Sequence, residues 1–261
     1  MSRGKRLAIA GTVSSAISLA GWRARALAPS GAVTATVVGT SILGRLSWPG
    51  GVLLGAFFVS SSLLSRLSPE QEIAARGGQR DMIQVLANGG VAAATAMACD
   101  RRALLTVAAS LAAATADTWA TEIGATSSAR PRLIVSRRPV VAGTSGAVTT
   151  RGLSGALAGA GLLGLTTVAV SRTWPHAWRN GGVVLLGGVA GSLVDSVLGE
   201  LVQERRWCPR CEKPTEAKVH RCGESTVVVG GWPGISNDVV NVLCTFSGAL
   251  VGGTLGRKTM A

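Results

Sequence analysis

Apolar runs of about twenty residues recur along this chain, and the charge is gathered into the short segments between them. A helix needs roughly that length of mostly apolar residues to cross a bilayer. Suitable runs lie near 7–21, 31–47, 50–65, 83–99, 103–123, 153–171, 181–202 and 236–256. Hydrophobic residues make up 47% of the chain, charged residues only 15%, and thirty-five glycines argue against an ordinary soluble core. The expected fold is all-α: one integral membrane domain over 1–261 with about 7–8 transmembrane helices, the first two runs being the weakest. Segment 203–235 is a Cys- and His-containing loop inserted within it.

Lys and Arg outnumber Asp and Glu by 26 to 13, giving a net charge of +13. The basic residues fall between apolar runs and not along one soluble face, so the partner they imply is a lipid bilayer surface and no nucleic acid. Alternating the helices places the N-terminus, Arg45, Arg101, Arg102, Arg172, Arg179, Arg257 and Lys258 on one side. The other side receives 22–30, 66–80, 124–152 and 203–235, and with them sixteen of the basic residues. By the positive-inside tendency that richer side is cytoplasmic. It leaves the N-terminus outside despite Arg3, Lys5 and Arg6, which points to one early helix that does not span. The N-terminal run also has the look of a signal segment, but Pro29 directly after Ala26, Leu27 and Ala28 makes a poor cleavage site, and a retained helix is expected.

The same alternation brings every unusual polar group to one face of the membrane. Two segments, "ADTWATEIG" and "VDSVLGE", place Asp117 with Glu122 and Asp195 with Glu200 near the ends of apolar helices. Five residues turn an ideal helix through about 140°, so the acids of a pair need not share a face. Helices leaving the same side begin with Arg80, Asp81, Gln84 and Asn88, and with Asn237, Asp238 and Asn241. A carboxylate inside a spanning helix is costly and faces a partner or a water-filled site. The structural alternative is ion pairing, Asp117 with Arg137 or Asp195 with Arg80. Clustered carboxylates and amides suit Mg²⁺, which keeps waters and substrate phosphates as further ligands.

Between the acid segments, Arg130, Arg132, Arg137 and Arg138 offer forked donors, and "GTSGAVTTRG" offers Gly143, Thr144, Ser145 and Gly146 just before a helix start. The stretch is no Walker A, for no Lys-Ser or Lys-Thr follows the glycines. The loop "WCPRCEKPTEAKVHRCGE" contains Cys208, Cys211, His220 and Cys222, a set able to close a structural Zn²⁺ site; a plain or redox-active loop is the alternative. Five cysteines with three packed into this loop form no spaced disulfide framework, and a reducing compartment is expected for it. Cys99 and Cys244 read as buried small residues, and His176 beside Trp174, Pro175 and Trp178 reads as an interfacial belt.

Taken in order, "QVLANGG", "ADTWATEIG", "GTSGAVTTRG", "GSLVDSVLGE", the CxxC loop and "SNDVVNVL" resemble the integral-membrane family that includes transmembrane protein 19 and plant phytyl-phosphate kinase. The likeness runs over roughly residues 30–256, and more distantly the motifs resemble those of phytol and dolichol kinases. Ser145 stands where Asn is more usual. The resemblance implies phosphorylation of an isoprenoid lipid monophosphate to the diphosphate by a nucleoside triphosphate, CTP or ATP-like, in a prokaryotic cell membrane or a plastid-type membrane. On that reading Asp117, Asp195 and Asp238 hold Mg²⁺, with Glu122 or Glu200 supporting them. Arg80, Arg137, Arg138, Gly143, Thr144, Ser145 and Gly146 clamp phosphates, and Asn88, Asn237 and Asn241 orient ligands or nucleotide. The rival reading is a carrier with its acids near mid-bilayer.

Overall fold

An alanine-rich helix, Ala103–Ala125, is buried from Ala103 to Ala116 at every position but Thr106. A helix apolar and small on every side has no solvent or lipid face to keep, and it forms the axis of the fold. The computed structural model describes residues 2–67, 79–98, 103–171 and 176–257. In chain order its helices are α1 (Arg3–Arg23), α2 (Pro29–Leu67), α3 (Met82–Ala98), α4 (Ala103–Ala125), α5 (Thr150–Val170), α6 (Ala177–Leu201) and α7 (Asn237–Arg257). Cys99, Arg101, Arg102, Arg172, Trp174, Pro175 and Lys258 lie outside the described residues.

Five of these helices, α2, α4, α5, α6 and α7, are long and apolar enough to cross a membrane. The 17-residue α3 is apolar but shorter. As one straight rod, 39 residues of α2 would reach about 59 Å. Instead the backbone breaks at Ser47, with φ 56° and ψ −149°, and the chain folds back on itself. A Cβ placed on Gly50 would lie 3.2 Å from the Ile42 carbonyl oxygen, and one on Gly39 would lie 3.7 Å from Leu54 Cδ2. Pro49 falls in the first turn after the break, where its missing N–H costs nothing. The apolar runs 31–47 and 50–65 are thus separate antiparallel helical halves, as their spacing implies.

Close approach through small residues holds the bundle together. Added Cβ atoms on Gly155 and Gly248 would fall 2.6 Å from the carbonyl oxygens of Trp119 and Ala109, so both α5 and α7 touch the α4 backbone. This is the role expected for small residues four apart, Gly155 with Gly159 and Gly248 with Gly252. Hydroxyls in the core return their protons to their own helix: Thr115 Oγ1 donates to Leu111 O at 2.7 Å and Thr167 Oγ1 to Leu163 O at 2.8 Å. The outward faces carry large exposed apolar side chains, among them Val33, Val37, Leu157, Leu165, Leu186, Phe246 and Leu250. Such a belt is the surface a bilayer covers. Cys244 is buried, as its apolar helix implies.

The expectation of an all-α chain needs correction. Two loops contain strands: β1 (Arg132–Leu133) pairs antiparallel with β2 (Ala147–Val148), and β3 (Arg205–Cys208), β4 (Lys213–Thr215) and β5 (Val227–Gly230) form a sheet of order β4-β3-β5. The strands have two to four residues each, too few to show a two-residue hydrophobic period in sequence. They close outside the helices, where the backbone has no helical partners.

Candidate functional site

The end of α4, the end of α6 and the starts of α3, α5 and α7 meet at one end of the bundle around a cavity of about 650 Å³. The second half of α2 returns there too: the Arg66 guanidinium donates to Ala24 O, just beyond α1. Polar residues from these several helix ends thus line one cavity.

Asp117 and Asp195 both line this cavity, one from α4 and one from α6, with their carboxyl groups in hydrogen-bonding contact. Asp195 Oδ1 is buried and, among the described residues, has no hydrogen-bond partner. The acid pairs then behave differently. On α4, Asp117, Thr118, Thr121 and Glu122 all line the cavity, so the 140° between the acids is spanned by its wall. Of the two acids on α6, Asp195 lines it and Glu200 does not. Glu200 turns away and accepts from the backbone N–H of Val135 at 2.6 Å and of Ser136 at 2.9 Å, tying down the turn after β1. Neither expected ion pair forms. Asp195 meets Asp117, while Arg80 donates to Ser62 Oγ at 2.9 Å and Ser65 Oγ at 3.4 Å, with Glu122 as its nearby opposite charge. Burial pulls the Arg80 guanidinium below its ordinary range, and Glu122 opposes that shift.

Arg80 is placed by backbone contacts. Its N–H donates to Ala26 O at 3.1 Å, and its carbonyl accepts from Ala28 N–H at 3.0 Å. Only a glycine fits beside it, for a Cβ on Gly31 would lie 2.0 Å from the Arg80 carbonyl oxygen. Gly143, Thr144, Ser145 and Gly146 line the opposite wall. Gly143 and Gly146 take φ of 81° and 77°, which bends the segment between β1 and β2 down onto the end of α6. Ser145 Oγ accepts from Gln203 Nε2 at 3.0 Å. Helix α5 begins directly after, with Thr149 accepting from Gly152 N–H at 3.0 Å as its cap.

The remaining expected residues separate. Asn237 lines the cavity. Asp238, Asn88, Asn241, Arg137 and Arg138 are not among its lining residues. Asn88 Nδ2 donates to the Gln84 carbonyl at 3.0 Å, and Asn241 is buried where Thr245 of α7 bonds the Ala87 carbonyl of α3 at 3.2 Å. Arg137 and Arg138 are exposed on the β1 turn. Ser192, Ser196, Gln203 and Glu216, which are not among the expected residues, also line the cavity. For the serines the signal was available, since Ser192 and Ser196 bracket Asp195 at helical spacing.

The donor set fits a hard divalent cation. Two carboxyl groups in contact, one with an unpartnered buried oxygen, are what Mg²⁺ satisfies and what an apolar or anionic ligand would not. In the loop after α6, the ligand atoms of Cys208, Cys211, His220 and Cys222 form a second cluster, all within 4.8 Å of one another. His220 holds the Cys222 thiol down at about 6, while its contact with Cys222 pushes Cys211 up to about 11.

The family described as integral membrane protein DUF92 matches residues 12–249. The chain belongs to that family. It is 32% identical to Protein PGR of Arabidopsis thaliana over 234 residues, covering 78% of this chain and 81% of that protein. It is 32% identical to an uncharacterised membrane protein of Methanocaldococcus jannaschii, covering 70% and 77%. Against an uncharacterised membrane protein of Synechocystis the identity is 28%, with 86% and 81% covered. No solved structure matches. The matched region contains all of the cavity's polar wall from Ala24 to Asn237. Membership in this family agrees with the likeness of the ordered motifs and with the apolar outer belt.

Proposed function

We propose that this protein is a membrane-embedded isoprenoid monophosphate kinase that makes the diphosphate from a nucleoside triphosphate. The observation that carries the reading is the Asp117 and Asp195 contact in a cavity whose lining also includes Arg80 and the glycine-rich 143–146 segment. In the reaction an oxygen of the lipid monophosphate forms a bond to the γ-phosphorus of CTP or an ATP-like donor. The bond from that phosphorus to the bridging β,γ-oxygen breaks, and the nucleoside diphosphate leaves with the electron pair. Such a transfer asks mainly for alignment and charge neutralisation. The acceptor oxygen is already anionic, so no dedicated base is needed.

Asp117 and Asp195 would hold Mg²⁺, which when bound offsets phosphate charge. Arg80, half-buried and bonded to Ser62 and Ser65, offers a fixed fork to a phosphate oxygen. Backbone amides along 143–146 approach the phosphates without side-chain obstruction. Glu122 keeps Arg80 oriented and charged. Asn237 closes the wall at the start of α7 and faces the nucleotide. The prenyl tail lies among the glycine-rich helices, which is why so polar a reaction uses a bilayer protein. With both halves of α2 counted, the five helices long and apolar enough to span give six crossings, which α1 and the shorter α3 would extend toward eight, and the cavity faces the cytoplasm, where most basic residues fall.

A carrier needs access from both sides of its acids. Every cavity-lining residue here comes from one end of the bundle, which favours the kinase. The test is purified protein in detergent given prenyl monophosphates, Mg²⁺ and each nucleotide in turn. Diphosphate formation with one donor is expected. Folded protein that yields none under any combination would overturn the proposal.

A further inference from the structure

The loop after α6 carries a set of groups that phosphoryl transfer does not use. Cys208 closes β3, Cys211 follows in the turn to β4, and His220 and Cys222 come from the turn before β5. Cys208 Sγ stands 3.6 Å from Cys222 Sγ, and His220 Nδ1 stands 3.2 Å from Cys222 Sγ. On one tetrahedral Zn²⁺ two sulfurs lie roughly 3.8 Å apart and a sulfur and a nitrogen roughly 3.6 Å apart, so both separations are a few tenths of an ångström short of a loaded site, whereas a disulfide needs about 2.05 Å. The described cysteines are free.

The backbone repeats one device at both ligand pairs. Glu212 directly follows Cys211 at φ 50°, and Gly223 directly follows Cys222 at φ 84°. Each turn reverses the chain immediately after its second ligand, and Gly223 N–H closes the second onto His220 O at 2.8 Å. Left-handed geometry is unfavourable for a residue such as Glu212 and persists where its surroundings impose it. The sheet β4-β3-β5 has strands of three, four and four residues and encloses little apolar surface, so it needs a cross-link.

Between the ligand pairs lies Glu216. It lines the main cavity and also an adjoining one of about 220 Å³, and it is near enough for its charge to act on Asp195. We propose that Cys208, Cys211, His220 and Cys222 bind one structural Zn²⁺ ion, and that this cross-link holds Glu216 at the cavity as a third carboxylate for the cation at Asp117 and Asp195. The zinc centre stands on its own geometry; the part played by Glu216 rests on the proposed cation site. Four protein ligands leave no open position, so the zinc is structural.

The full chain, purified in detergent under reducing, chelator-free conditions, is expected to hold one zinc per molecule. Cys211→Ser loses it. His220→Cys keeps it, and the cobalt-substituted form then changes its thiolate charge-transfer spectrum from three sulfurs to four. Buried Cys208 is avoided because its replacement can unfold the loop. No zinc in the parent, together with no tetrahedral cobalt spectrum on titration, overturns the centre, as does a Cys208–Cys211 disulfide in the native mass.

Mn²⁺ binding read by electron paramagnetic resonance tests Glu216. Glu216→Gln and zinc-free Cys211→Ser should each bind about tenfold more weakly than the parent, with Asp195→Asn weaker still. If only Asp195→Asn weakens binding, the role of Glu216 is wrong. If Asp195→Asn also binds as the parent does, the cation site itself is wrong, and the zinc centre is judged on metal content alone.

Discussion

Gly146 and Glu200 are in backbone contact: a Cβ on Gly146 would lie 2.2 Å from the Glu200 nitrogen. The φ of 77° at Gly146 adds a second reason for glycine there. Because Glu200 also accepts from Val135 and Ser136, one contact region fixes the β1 to β2 segment against α6. Gly146→Ala should destabilise the protein by about 2 kcal/mol or more, from overlap and left-handed strain together. Thermal unfolding in detergent checks this, and a variant that melts with the parent would refute the packing.

Removing either touching carboxylate separates a functional role from a structural one. Asp117→Asn and Asp195→Asn should each lower turnover on the order of a hundredfold or more, without lowering the melting temperature. Two acids in contact do not stabilise each other as an ion pair would, so their loss should cost little in folding. Wild-type rates in both variants would refute the cation assignment.

Arg80 is held by Ser62 and Ser65 on one side and by the charge of Glu122. Arg80→Gln removes a charged fork from phosphate and should cost about 1.5–3 kcal/mol of binding, about a tenfold or larger rise in KM. Arg80→Lys should recover only part of that loss. Steady-state kinetics on both substrates will show which phosphate it serves; unchanged KM for both would remove Arg80 from the site.

The acid stability of the loop after α6 should depend on Glu204. Its carboxylate accepts from Gly234 N–H at 2.7 Å and pairs with Arg206 Nε at 2.5 Å, and these hold it below the ordinary glutamate value of 4.5. A depressed folded-state value means stability that is present above 4.5 and is lost as pH falls through the lower value. Glu204→Gln should therefore be less stable at neutral pH and flatter in its acid limb. Hydrogen exchange of the Gly234 amide against pH measures both, and equal acid limbs in parent and variant would rule the linkage out.

Much of this arrangement is legible before folding because membrane helices are written in long apolar runs. The runs at 31–47 and 50–65 even anticipate the break at Ser47, and alternation alone brings Asp117, Asp195 and Arg80 to one end. What sequence does not carry is which way a side chain points once five residues separate it from its neighbour. Glu122 and Glu200 have equivalent spacing, yet one lines the cavity and the other caps a turn, because the β1 to β2 segment packs on the end of α6. Glu216 and Gln203 reach the site through the sheet and the end of α6, and single polar residues in a loop have no period to reveal them.

Drawing all its walls from one end of the bundle gives the cavity a vectorial character. For a kinase of this build, an amphiphile in the far leaflet is out of reach until it flips. Product leaves into the leaflet its precursor occupied, so whatever enzyme condenses the diphosphate has to work on that same side.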